Sequence, residues 1–173
     1  MAFLKKLLSR KSTEETAPEA VRNHLKDWAI VEIARKQTGD AAVMRIRTDK
    51  PPGIDCSEFS TAVVIKWPYE STSPMPEQFD NQKMISFEES VDELFGLNGL
   101  SEMVQVTTGM GLKEWIYYTN DQDGFMRRFN ELLSSHEPYP LEIEFYDDPC
   151  WEVWQDSLIA IKARGSLEKE PHA

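Results

Sequence analysis

Six stretches of the chain alternate between apolar and polar residues with the period of two that predicts β-strands. They cover residues 28–34, 42–47, 58–67, 103–107, 112–119 and 141–145. In the third stretch both faces are partly apolar, with Phe59 and Val63 on one face and Ala62 on the other, which favours a strand inside the sheet. A glycine-rich turn at residues 109–111 joins the fourth and fifth stretches into a hairpin, because glycine reaches positive φ at little cost.

Three other segments repeat their apolar residues at the helical period. Their predicted buried stripes are Met84, Phe87, Val91, Leu94 and Phe95; Phe125, Phe129, Leu132 and Leu133; and Trp151, Trp154, Leu158 and Ile161. Asn120 or Asp121 is the expected N-cap of the second helix. Asp148 is the expected N-cap of the third helix, with Pro149 in its first turn.

From Glu58 onward the predicted order is strand, helix, strand, strand, helix, strand. This is the split βαβ order of a ferredoxin-like sandwich, in which the third strand lies beside the first in a mostly antiparallel sheet. The predicted fold class is therefore α+β, with an extra β-hairpin before the unit and a C-terminal helix packed over an edge or a face. A single domain over residues 27–163 is expected, because 173 residues suit one core.

The segment 112–119 carries three large aromatic side chains in a row of eight residues. Strand alternation puts Leu112, Ile116 and Tyr118 on one face, with Trp115 and Tyr117 on the other. Aromatic stripes of this kind usually belong to a core. If these rings are buried, the two tyrosine hydroxyls and the indole N–H need hydrogen-bond partners.

The two ends of the chain have a different composition from the predicted domain. A short basic amphipathic helix is predicted at residues 1–11, followed by a polar tether to residue 26, and residues 164–173 are expected to be a disordered tail. We favour a helix that frays or docks on its own domain, and weak contact with a membrane surface is the alternative. The side chains that would make either contact are Phe3, Leu4, Lys5, Lys6, Leu7 and Leu8.

The formal net charge is −11, and it is unevenly distributed. Residues 80–150 contain 15 Asp and Glu against four Lys and Arg. Such a surface repels phosphate backbones, so nucleic-acid binding is not expected, whereas a protein partner with a basic surface fits. Two widely separated cysteines, the lack of an apolar run of about 18 residues and the lack of a secretory signal core predict a cytoplasmic protein, with contact at the inner face of the membrane as its alternative.

Candidate chemistry is limited to carboxylates. The three histidines form no arrangement with a nucleophile, so no catalytic residue, cofactor or metal is assigned. Acidic residues cluster near the end of the sixth stretch, where they suit binding, metal or acid–base roles, or simply a charged edge strand. The candidate binding residues are Glu114, Trp115, Tyr117, Glu142, Glu144 and Asp147.

The motifs KEWIYYT, DQDGFMRRFNELL and LEIEFYDDPCWEVW together resemble the bacterial family catalogued as domain of unknown function 695. The resemblance covers roughly residues 27–160 and is most specific at Asp148-Pro149-Cys150-Trp151. It implies an α+β sandwich and no particular activity. Architecture and charge alone are also similar to the regulator of ribonuclease activity B family, small acidic proteins that bind and inhibit a nuclease.

Taken together, these patterns favour a non-catalytic binding or regulatory protein whose acidic surface engages a basic protein partner. Two other hypotheses stay open. One is a hydrolase or metal-dependent enzyme that uses Glu114 with Asp147 or Asp148. The other is a membrane-peripheral adaptor held by residues 1–11. The sequence does not fix the oligomeric state.

Overall fold

The computed structural model describes residues 27–35, 40–94 and 100–163, which contain six strands and three α-helices. The strands are β1 (Trp28–Arg35), β2 (Asp40–Arg47), β3 (Thr61–Pro68), β4 (Ser101–Gly109), β5 (Leu112–Thr119) and β6 (Glu142–Asp147). The helices are α1 (Gln78–Val91), which a 3-10 helix (Asp92–Leu94) extends, α2 (Gln122–Leu133) and α3 (Glu152–Ala163). The predicted N-terminal helix and tether (1–26), Phe95 of the first predicted buried stripe and the predicted tail (164–173) lie outside the described residues.

The six strands form one sheet in the order β1-β2-β4-β5-β3-β6, with every neighbouring pair antiparallel. The third strand of the predicted unit, β5, lies beside the first, β3, and both are inside the sheet. The α+β architecture with its preceding hairpin and C-terminal helix is therefore confirmed. It places β6 and β1 at the two edges.

Each face of the sheet carries its own core. Helices α1 and α2 cover one face, which we call the α1/α2 face, where Trp115, Tyr117 and Phe87 are fully buried. Helix α3 packs on the opposite face, which we call the α3 face, against Ile116 and Tyr118. The alternation predicted for β5 is confirmed, and both sets of aromatic rings are covered.

Contrary to the prediction, Asp148 is not the N-cap residue, since α3 begins only at Glu152, but its side chain fixes the start of the helix. Its carboxylate accepts hydrogen bonds from the backbone N–H groups of Glu152 at 2.8 Å and Val153 at 3.1 Å, and from the Tyr118 hydroxyl at 2.6 Å. The prediction that Pro149 lies in the first turn of the helix is wrong, because residues 148–150 form a turn and α3 begins at Glu152.

Phe59 also departs from the prediction, since it packs in the core of the α3 face rather than with Val63 and Trp67. Its backbone N–H donates to the Asp55 carbonyl at 3.2 Å, so Phe59 belongs to a turn and β3 begins only at Thr61. Strand alternation cannot be extended backwards through such a turn.

Candidate functional site

A row of polar side chains crosses four strands on the α3 face. Thr107, Glu114, Lys66 and Glu142 are successive cross-strand partners on β4, β5, β3 and β6. Glu144 and Tyr146 follow Glu142 on the same face of β6. All six side chains are exposed or half-buried, and we call them the polar patch.

Lys66 and Glu144 form an ion pair inside the polar patch, with 2.6 Å between Nζ and Oε2. The Tyr146 hydroxyl donates to the same carboxylate oxygen. These two hydrogen bonds lower the pKa of Glu144, and the bond to Glu144 raises the pKa values of Lys66 and Tyr146. One carboxylate of the patch is therefore already compensated by a cation.

Glu114 is in a different position, because it accepts no hydrogen bond and forms no ion pair within the described residues. Its side chain is half-buried, and burial raises its pKa. Lys66 acts in the opposite direction, and Glu144 adds to the rise through like-charge repulsion. Since the net pKa shift is upward, burial outweighs the attraction of Lys66.

A cavity of about 160 Å³ lies beside Glu114 at the hairpin that joins β4 and β5. It is lined by Thr107, Gly109, Met110, Leu112 and Glu114. The turn has positive φ at both central residues, 55° at Met110 and 78° at Gly111, which is the geometry of a type I′ hairpin turn.

Backbone contacts fix the position of this hairpin. The Met110 N–H donates to the Pro74 carbonyl at 3.0 Å, and the Tyr69 N–H donates to the Gly111 carbonyl at 2.9 Å. At Gly109, a Cβ atom would collide with the backbone of Ala42 on β2, so glycine allows the close approach of β2 and β4. The walls of the cavity are therefore set by the fold itself.

Gln105 lies in the next row of the α3 face, opposite Ile116, and is only 4% exposed. Its Nε2 donates to Thr107 Oγ1, which lines the cavity, at 3.3 Å. In the part of the chain that the structure describes, its Oε1 has no hydrogen-bond partner. A buried acceptor left in this state costs about 1–3 kcal/mol. Gln105 is not among the residues that line the cavity, so it supports the cavity wall through Thr107.

The structure brings together only half of the binding residues predicted from the sequence. Glu114, Glu142 and Glu144 lie in the polar patch. Asp147 points to the opposite side at the exposed end of β6. Trp115 and Tyr117 are buried under α1 and α2, where they belong to the core and not to the patch.

Sequence reasoning missed Lys66, Thr107, Gln105 and Tyr146. Lys66 was the easiest of these to predict from the sequence, because it is the single charged residue in an otherwise apolar strand. Within residues 27–35, 40–94 and 100–163, no group of three or more His, Cys, Asp or Glu side chains is arranged to hold a metal ion. His136 makes hydrogen bonds to Ser90 Oγ at 3.1 Å and to the Tyr139 hydroxyl at 2.8 Å.

Replacing Glu114 with glutamine is expected to stabilise the protein at neutral pH. A carboxyl whose pKa is raised on folding supports the folded state below its unfolded pKa of about 4.3, and that support is lost as pH rises through the folded pKa. Glu114→Gln removes the loss, so its Tm should match that of the wild type near about pH 4 and exceed it near about pH 8. Thermal unfolding followed by circular dichroism across this range measures the difference.

Glu142→Gln is the matched control, because Glu142 is an exposed carboxylate in the same cross-strand row. Equal Tm changes in the two variants at every pH would mean that net charge, and not the burial of Glu114, sets the effect.

A model of the family of unknown function DUF695 matches residues 27–159. The match runs from the residue before β1 into the last turns of α3. No curated protein matches the chain. Among the helices in the described ranges, none is both long enough and apolar enough to cross a membrane.

Proposed function

The chain belongs to the DUF695 family, and we propose that it is a non-catalytic binding or regulatory protein that engages a basic protein partner through the polar patch. One observation carries this proposal. Glu114, Glu142 and Glu144 share one face of the sheet, and Lys66 is the single cation among the six patch residues.

The charge balance of the polar patch favours a cationic partner. Lys66 is bonded to Glu144, so Glu114 and Glu142 supply negative charge that this ion pair does not neutralise. The whole chain carries a formal net charge of −11, so the electrostatic potential beyond the patch has the same negative sign. Complementary charge of this kind speeds association and selects against acidic partners.

A patch without its three carboxylates is expected to lose the partner. The variant Glu114→Gln/Glu142→Gln/Glu144→Gln removes three charges while keeping the shape of the side chains. In affinity capture from host lysate at low salt, the wild type should retain a basic protein, and the triple variant should retain at least about tenfold less of it, as expected when several exposed charges steer one interface. Quantitative mass spectrometry of the captured protein measures the ratio.

The control variant Glu70→Gln/Glu137→Gln/Asp156→Asn removes the same charge from exposed positions outside the patch. It should capture the partner as the wild type does. Equal capture by the patch variant, or equal loss in both variants, would overturn the proposed use of this surface.

A cytoplasmic location is part of the same proposal, and it rests on the sequence. Two cysteines without a disulfide framework suit a reducing compartment, and Cys56 and Cys150 are both free thiols. The weak membrane contact of residues 1–11 is the sequence-derived alternative, and that segment lies outside the described residues.

A further inference from the structure

We infer that the cavity beside the β4–β5 hairpin receives a single lysine or arginine side chain of the partner, with its cationic end at Glu114. The inference rests on the proposed function and names the group that the polar patch recognises. It follows from a side chain of the cavity that lacks what a cation with N–H groups would supply.

This side chain is Glu114, whose carboxylate lines the cavity without a hydrogen bond or an ion pair in the described part of the chain. An ammonium group offers three N–H donors and a guanidinium offers five, so either one can donate to this carboxylate and supply a positive charge.

Other ligands fit this carboxylate less well. An anion would be repelled by Glu114, and an apolar group would leave that carboxylate without a hydrogen-bond donor or a counter-charge. A hard metal cation needs about six to eight oxygen ligands, whereas Glu114 is the single carboxylate among the five lining residues. An organic cation is therefore the class of ligand that remains.

The size and walls of the cavity favour a side chain over a larger ligand. Its volume of about 160 Å³ lies below the range of about 300–1,000 Å³ that is typical of small-molecule sites. Met110 and Leu112 provide apolar surface for the methylene stem of lysine or arginine. The bonds from the hairpin to Tyr69 and Pro74 hold these walls in place before binding, which lowers the cost of ordering them.

The full-length protein can be tested with n-butylguanidinium and n-butylammonium as probes, because each reproduces the end of a basic side chain. Chemical shifts of the Met110 methyl group and of the Gly109 and Gly111 amides report on the cavity. We expect saturable shifts with both cations and none with n-butyrate or n-butanol. Glu114→Gln should weaken cation binding at least tenfold, and Glu137→Gln, at an exposed position outside the polar patch, should change it less than twofold.

Equal binding by the wild type and Glu114→Gln would overturn the inference, as would equal shifts with n-butyrate. A further variant, Lys5→Ala/Lys6→Ala/Arg10→Ala/Lys11→Ala, tests whether the basic residues of the chain itself occupy the cavity. Tighter cation binding by this variant than by the wild type would assign the cavity to them and not to a partner. Unchanged binding supports the partner.

The two proposals fail in different ways. If partner capture depends on Glu142 and Glu144 but not on Glu114, the binding function stands and the assignment of the cavity is wrong. If the cations saturate the cavity while no basic protein is captured, the proposed function fails and the cavity serves a free amine.

Discussion

Replacing Trp151 with alanine is expected to lower the free energy of unfolding by about 3–5 kcal/mol, the range for removing a large buried aromatic side chain. The Trp151 ring is fully buried, and it stacks on Tyr118 with 4.1 Å between ring centroids and 7° between planes. Its indole N–H donates to the Phe59 carbonyl at 2.8 Å. Chemical denaturation followed by far-UV circular dichroism measures the loss without relying on tryptophan fluorescence.

The backbone at Trp151 gives a sharper form of this test. Its φ is 58°, a left-handed conformation that costs a residue with a Cβ atom about 1–2 kcal/mol. Glycine avoids this cost but loses about 0.5–1 kcal/mol through the entropy of the unfolded chain. Trp151→Gly should therefore be less destabilising than Trp151→Ala by about 0.5–1 kcal/mol, although it removes more atoms.

Trp151→Phe is the control for the hydrogen bond, since it keeps an aromatic ring but leaves the Phe59 carbonyl without its indole donor. Its free energy of unfolding should lie between those of the wild type and Trp151→Ala. A loss below about 1.5 kcal/mol for Trp151→Ala would mean that α3 is not anchored by this ring.

The local features of the fold were predictable because they depend on near neighbours in the sequence. Alternation alone separates Trp115 and Tyr117 from Ile116 and Tyr118, and Asp121 caps α2 by accepting from the Gly124 N–H at 2.9 Å. The same alternation would have placed Asp147 on the opposite face of β6 from Glu142 and Glu144. The alternation of β6 alone therefore distinguishes Asp147 from the two glutamates.

The composition of the polar patch required information that one sequence lacks. Lys66 and Glu114 become neighbours through the register of β3 with β5, and the hydrophobic pattern fixes faces more firmly than it fixes partners. The face that Gln105 occupies is harder still to predict, because an irregularity between Met103 and Gln105 shifts the register of β4. Counting alternate residues from Glu102 would therefore have placed Gln105 on the wrong face.

The second large effect is expected at a buried ion pair that the sequence did not reveal. Glu88 on α1 accepts from Lys113 Nζ and from Trp115 Nε1, both at 2.8 Å, and the two charged side chains are 12% and 4% exposed. Glu88→Gln should lower the free energy of unfolding by about 3–5 kcal/mol, because it takes this carboxylate away from the buried Lys113 ammonium. Urea denaturation of the variant measures the loss.

Lys113→Met should lower the free energy of unfolding less than Glu88→Gln does, because Glu88 keeps two favourable neighbours. The Trp115 indole still donates to it. The Arg45 guanidinium also attracts it, since burial lowers the pKa of Arg45 and Glu88 opposes that change. In Glu88→Gln, by contrast, Lys113 and Arg45 both lose the attraction of a carboxylate.

The double variant Glu88→Gln/Lys113→Met completes the cycle. It removes both charges and keeps an amide oxygen that can accept from Trp115, so it should be more stable than Glu88→Gln alone, with a coupling energy of about 0.5–3 kcal/mol. A buried pair replaced by uncharged groups of similar volume is often nearly neutral, whereas a buried charge separated from its partner is not. Strictly additive losses in the two single variants would show that Glu88 and Lys113 do not act as a pair.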